Sequence, residues 1–181
     1  MAQQERNKNM HVSLIAAQTI DGYIARSELD RSFDWTSAED KQFYISKLKE
    51  SDVVIMSSKT FRTFSRYPKG AHFVIITRSP ESFENPRPDL ITVTPTSDDP
   101  QTVIGWLKEQ GHQQVLIAGG ASIYRQYLAA QVVNTLFLTI EPILFGEGVS
   151  LLDESCATSL TLQEVHKLSA QTIVLEYSAF A

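Results

Sequence analysis

Three groups of residues carry side chains able to do chemistry. The first centres on Asp40, in Trp35-Thr36-Ser37-Ala38-Glu39-Asp40, at the opening of a helical pattern over residues 37–50. With Thr36 as the helix N-cap, Glu39 falls at the third helical position and closes a capping box, which leaves Asp40 surplus to capping. At about 100° per residue, Asp40 then projects between Phe43 and Tyr44, on the apolar face. A carboxylate there is costly without a partner or ligand. Burial raises its pKa and suits it to donating a proton or binding a protonated heterocycle. The plainer alternative makes Ser37 the N-cap and Asp40 the residue that closes the box; the residues alone leave both open.

The other two groups suit anions. Ser57-Ser58-Lys59-Thr60 follows the apolar run VVIM, and Thr77-Arg78-Ser79 follows FVII. Hydroxyls, an amine and a guanidinium at strand ends suit phosphate, and Arg78 suits a phosphomonoester such as the 2′-phosphate of NADP. Ordinary helix capping and a solvated arginine are the competing uses. Residues 115–128 read VLIAGGASIYRQYL: a buried strand, Gly119-Gly120, then a helix from Ala121 with Ile123, Tyr124, Tyr127 and Leu128 at helical spacing. Glycine lets backbone approach a ligand closely and adopt dihedrals other residues avoid. A helix N-terminus offers free N–H groups and a positive dipole end to a pyrophosphate. The segment is neither the G-x-G-x-x-G fingerprint nor a P-loop, and a tight turn without a ligand is its competing use. Three such sites at three strand ends weigh more than any one, because open α/β sheets bind ligands at the carboxyl ends of strands.

These groups need a scaffold, and 181 residues suffice for one domain with a sizeable core. Strands are read at residues 11–17, 53–56, 73–77, 90–93, 115–118 and 132–140, and helices at 37–50, 59–66, 100–110 and from 121. Residues 160–168 and 172–180 alternate as a terminal antiparallel pair. Strands alternating with helices predict an α/β fold of three layers, with a mainly parallel sheet, helices on both faces and antiparallel C-terminal strands. Residues 1–9 are polar and read as a flexible tail, with a single domain over residues 10–181. A net charge of −5 without a basic run argues against broad nucleic-acid binding. No apolar run reaches membrane-spanning length. One cysteine, Cys156, fits a reducing cytosol, and so a cytoplasmic protein. The four histidines have no metal-ligand spacing, and no G-x-S-x-G elbow is present, so neither a metal centre nor a serine hydrolase is expected.

In sequence order, SLIAAQTIDGYIA, DWTSAEDKQFY, VVIMSSKTF, FVIITRS, VLIAGGASIY and LFLTIEP resemble the dihydrofolate reductase superfamily, over residues 10–180. Asp21-Gly22-Tyr23-Ile24-Ala25 and the Pro-x3-Gly-x-Gly segment, Pro142 to Gly148, resemble the reductase domain of the riboflavin-pathway deaminase-reductases. Trp35, Asp40 and Lys59-Thr60-Phe61 look more like dihydrofolate reductase itself. The resemblance implies that Asp40 holds the amidine-like edge of a pteridine and organises a proton before hydride arrives. It implies that Ile15, Ala16 and Ala17 line the ring pocket and Ala17 approaches the nicotinamide, that Tyr44 stacks beside the substrate, and that Thr139 bonds Asp40 or the ring. Ile24 and Ala25 would cover the nicotinamide of NADPH. Lys59, Thr60, Thr77, Arg78 and Ser79 would bind the adenosine phosphate side. Gly119, Gly120, Ala121, Ser122, Ile123 and Tyr124 would follow the pyrophosphate and ribose, with a cis peptide joining the glycines.

Two departures stand out. Ser57-Ser58 replaces the family's Gly-Arg, which removes one phosphate-binding arginine. Ala71 stands where folate-binding members place an arginine on the glutamate tail; its loss weakens folate binding by roughly 1.5–3 kcal/mol unless Arg66 or Lys69 substitutes. The expected function is NADPH-dependent hydride transfer to a C=N bond of a pteridine, dihydrofolate to tetrahydrofolate. The alternative is reduction of a (phospho)ribosylamino-pyrimidine in riboflavin biosynthesis. A third reading, a nucleotide- or pterin-binding protein without turnover, gains if Asp40 faces solvent. The only partner implied is the small-molecule substrate, and a homodimer is compatible with the sequence.

Overall fold

In the computed structural model, residues 10–27, 30–152 and 158–179 are described. The expected tail over residues 1–9 and Cys156 lie outside them. The chain runs β1 (His11–Thr19), β2 (Tyr23–Ala25), α1 (Ala38–Glu50), β3 (Val53–Ser57), α2 (Ser58–Phe61), β4 (His72–Ile76), β5 (Thr92–Thr96) and α3 (Pro100–Glu109). It continues through β6 (Gln114–Ile117), α4 (Ala121–Ala129), β7 (Thr135–Glu141), β8 (Val149–Ser150), β9 (Thr161–Lys167) and β10 (Ile173–Ser178).

The main sheet has the order β5-β4-β3-β6-β1-β7-β10-β9. Neighbours from β5 to β7 pair in parallel, and β10 pairs antiparallel with both β7 and β9. Period-two alternation splits each central strand between two cores. Val12, Leu14, Val53, Ile55, Val115 and Ile117 face one core, with Val103 and Leu107 of α3 and Ile123 and Leu128 of α4. Ile15, Val54, Met56, Leu116 and Ala118 face the other, with Leu48 of α1 and Phe61 of α2. The three layers expected from the alternation of elements are thus present, as are the antiparallel C-terminal strands.

Several boundaries differ from the sequence reading, each for a local reason. The helix read over 59–66 is a single turn, Ser58–Phe61. The strand read at 90–93 pairs instead over Thr92–Thr96; it carries Pro95, which an edge strand tolerates. Val132 and Val133 precede β7 rather than belong to it: Gln131 has φ 55°, and the Asn134 side chain accepts the Val12 N–H at 2.8 Å. The ribbon of β2 and β8 lies where the sequence reading places no strand.

That ribbon depends on Gly148, where an added Cβ would collide with the Ala25 carbonyl. Gly148→Ala is therefore expected to unseat β2 and accelerate proteolytic cleavage near Ala25, while the melting temperature falls only slightly. An unchanged cleavage rate would show that the ribbon tolerates the methyl group.

Candidate active site

The carboxyl ends of β1, β3 and β6 open on a cleft of about 520 Å³. This is the crevice expected where the winding of the sheet reverses: the chain leaves β1 toward β3, β4 and β5, returns to β6, and crosses to β7. Ile15, Ala16 and Ala17 of β1 form one wall, with Ile24 and Ala25 of β2 beside them. Asp40 and Tyr44 come from α1, Ser57, Lys59 and Thr60 from β3 and α2, and Gly119, Gly120, Ala121, Ser122 and Tyr124 from the β6–α4 junction.

Asp40 is 7% exposed, so it does not face solvent. The N-cap of α1 is Ser37, not Thr36: the Ser37 hydroxyl accepts the Asp40 N–H at 3.1 Å. Asp40 does not close a capping box either. The Ser37 N–H goes at 2.8 Å to Glu141, a carboxylate from the end of β7. Asp40 is therefore surplus to capping, although the cap is Ser37, the residue named by the plainer alternative. Burial pushes its pKa up, the Thr139 and Thr36 hydroxyls and Lys41 pull it down, and Glu141 adds to the rise. Thr139 is fully buried beside the carboxylate, and among the described residues its Oγ1 makes no hydrogen bond of good geometry. The Asp40 carboxylate is the acceptor beside this buried hydroxyl.

Around this floor, Phe33, Tyr44 and Phe64 form an aromatic wall with ring centroids 5.6–6.4 Å apart. Burial drives the Tyr44 and Tyr124 phenols well above their usual range, which leaves them neutral. The Tyr124 hydroxyl donates to the Ile15 carbonyl at 2.8 Å and locks α4 to β1. At the ribbon side, the Asp21 carboxylate accepts the Thr19 hydroxyl at 2.5 Å and the N–H groups of Phe145 and Gly146 at 3.0 and 2.7 Å. Phe145 lies between Trp35, 5.1 Å away, and the guanidinium of Arg26, 4.1 Å away. These contacts fix the loop that carries Ile24 and Ala25.

The residues fit a dinucleotide at the glycine end. Gly120 is the N-cap of α4 and offers no side chain to the first-turn amides, so these can serve a ligand phosphate. The Gly119–Gly120 peptide is cis. Of the two glycines, only Gly119 has a positive φ, +113°; Gly120, at −82°, is in a region open to any residue. Gly119 is also required by packing, since a Cβ on it would lie 2.9 Å from the Tyr124 hydroxyl.

Not every expected residue lines the cleft. Ile123 is buried in the core and Thr139 is fully buried outside the lining, and Thr77, Arg78 and Ser79 stand outside its walls, beyond the end of β4, with Arg78 and Ser79 exposed. Glu141 was missed, yet period-two spacing from Thr139 on a buried strand was a usable signal. A second groove of about 360 Å³ adjoins the cleft through Phe33, Thr63 and Phe64, and is lined by Ile45, Leu48, Tyr67, Lys49 and Arg66. Away from both, His166 Nε2 of the edge strand β9 lies 2.7 Å from Glu176 of β10.

Comparison with known proteins agrees with this architecture. The model of the RibD C-terminal domain family matches residues 10–174. An uncharacterized protein of Bacillus subtilis, YwjB, is 25% identical over 175 residues, 91% of this chain and 95% of its own. The deaminase/reductase of Thermotoga maritima, named for a 5-amino-6-(5-phosphoribosylamino)uracil reductase, superposes with a TM-score of 0.72 at 18% identity, over 95% of this chain and 57% of its own. Enterococcus faecalis dihydrofolate reductase, solved with NADP(H), gives 0.64 at 14% identity, over 94% of this chain and 97% of its own. No helix among the described residues is long and apolar enough to cross a membrane. The chain belongs to the RibD C-terminal domain family, and its fold is that of dihydrofolate reductase.

Proposed function

We propose that the protein is an NADPH-dependent reductase of an aminopyrimidine carrying a ribosylamino or phosphoribosylamino substituent. The observation that carries this reading is buried Asp40, next to the Thr139 hydroxyl, in a cleft whose other end is a glycine-capped helix N-terminus. Family membership supports the pyrimidine substrate over the dihydrofolate first expected from the sequence. Ala71, in place of the folate-tail arginine, points the same way.

In this reading Asp40, steadied by the Thr139 hydroxyl, holds the amino and ring N–H groups of the heterocycle, and the aromatic wall stacks on its face. The raised pKa of Asp40 brings its proton nearer to working pH, where it can be handed to the substrate. Ile24 and Ala25 exclude water. The backbone from Gly119 to Ser122 holds the pyrophosphate, and Lys59 and Thr60 the adenosine phosphate side. The bound nicotinamide supplies the hydride.

Turnover, read as loss of NADPH absorbance, tests the proposal. The ribosylamino-pyrimidine phosphate is expected to give kcat/KM at least about tenfold above dihydrofolate. The reverse order would replace it with dihydrofolate reduction. That second reading is favoured by one feature, the apolar groove beside the cleft bounded by Lys49 and Arg66, which suits an aryl tail ending in carboxylate.

Cofactor choice is a separate prediction. Arg78, at the end of β4, is the candidate for a 2′-phosphate, and Ser58 removes the second arginine such a site would use. Arg78→Ala is expected to reduce the ratio of NADPH to NADH efficiency by about tenfold, a modest effect because the side chain is exposed. An unchanged ratio would assign Arg78 to the surface.

A further inference from the structure

Glu141 is a buried charge that the proposed chemistry leaves unused. It ends β7, is 2% exposed, and its carboxylate accepts three hydrogen bonds. Oε1 takes the Ser37 N–H at 2.8 Å and the Ser37 hydroxyl at 2.7 Å, and Oε2 takes the Thr172 hydroxyl at 3.1 Å. Ser37 Oγ in turn accepts the Asp40 N–H at 3.1 Å. A continuous chain of hydrogen bonds thus runs from the end of β7 to the backbone of Asp40. Thr172, next to β10, ties a third element to the same carboxylate. Two residues before Glu141, on the same face of β7, stands Thr139, whose hydroxyl also acts on Asp40.

Capping alone does not call for this residue. A glutamine could accept the same Ser37 bonds without placing a second negative charge near Asp40, and like charges that close are unfavourable. We propose that Glu141 is the positioning residue of this site: it fixes the Asp40 carboxylate at the floor of the cleft and keeps a second negative charge beside it. The proposal rests on Asp40 being the group that holds the proton. The other charged or titratable groups acting on Asp40 are Lys41 and Tyr44 from its own helix and Tyr124 from α4. Lys41 offsets part of the effect of Glu141, and the two phenols stay neutral.

The test is a ¹³C NMR titration of the Asp40 carboxyl in the full chain, assigned by its loss in Asp40→Asn and compared with Glu141→Gln and Glu141→Ala. Glutamine keeps the size and an acceptor for Ser37 but drops the charge. The expected result in Glu141→Gln is a downward move of the Asp40 midpoint, with the pH profile of kcat moving with it and KM for NADPH unchanged. Glu141→Ala is expected to lower kcat by about 10- to 100-fold through misplacement of Asp40, most of which Glu141→Gln recovers. An Asp40 midpoint that stays put in Glu141→Gln overturns the proposal, as does parent-level kcat in a folded Glu141→Ala. Absence of any turnover in the parent chain would defeat the reading of the reaction instead, and the Asp40 titration would still decide the role of Glu141.

Discussion

Replacing Asp40 by Asn is expected to cost roughly 10²–10⁴-fold in turnover near neutral pH and, at the same time, to raise the melting temperature. Both effects follow from one placement. Asp40 is buried, its pKa is raised chiefly by that burial, and the Glu141 carboxylate adds to the rise. Below the ordinary Asp value of 3.8, folded and unfolded chains are both protonated there, and the side chain adds no pH dependence. As pH rises past that value the unfolded chain gives up its proton first. The folded state then loses stability until its own, higher midpoint is passed, and the penalty stays constant above it. Asparagine removes the penalty and keeps the shape. The gain in melting temperature is expected at pH 7 and should shrink as pH is lowered toward 4, with about 2–4 °C for each kcal/mol in a chain of this size. Calorimetry at several pH values checks it. A variant that melts like the parent at pH 7 and turns over at the parent rate would reduce Asp40 to a helix residue.

The sequence made Asp40 visible because helical spacing put it on an apolar face, but it left the cap undecided. Thr36 and Ser37 are both competent N-caps, and the arbiter is Glu141, 104 positions away from Ser37. Local pattern contains no such term. The same limit hid the β2–β8 ribbon, whose strands of three and two residues are too short to show a period. The three strand-end groups were legible as groups, yet their distances from the cleft were not. Strand order decides that: β6 and β3 are neighbours, which brings Gly119 and Lys59 together, while β4 lies one strand farther out and leaves Arg78 beyond the walls. The three-layer fold was readable because it rests on alternation and on element order, both of which are local.

The glycine pair separates packing from binding, and the two positions are expected to respond differently. Gly119 holds φ +113°, and a methyl group there would lie 2.9 Å from the Tyr124 hydroxyl, whose bond to Ile15 locks α4 against the central strand β1. Gly119→Ala is therefore expected to destabilise the fold by roughly 2–4 kcal/mol, from backbone strain and overpacking together. Gly120 has φ −82°, which alanine adopts freely. Its methyl group would lie 3.0 Å from Thr60 Oγ1, a side chain that can give way, so the cost in stability is expected to stay below about 1 kcal/mol. That small displacement acts where a phosphate would meet both the α4 amides and Thr60. Gly120→Ala is thus expected to weaken NADPH binding by about tenfold or more while melting almost as the parent does. The measurement is cofactor affinity by titration, at a temperature where each variant is fully folded. Parent-like affinity in Gly120→Ala would leave the β6–α4 junction as packing alone, and nucleotide binding would then have to rest on Lys59 and Arg78.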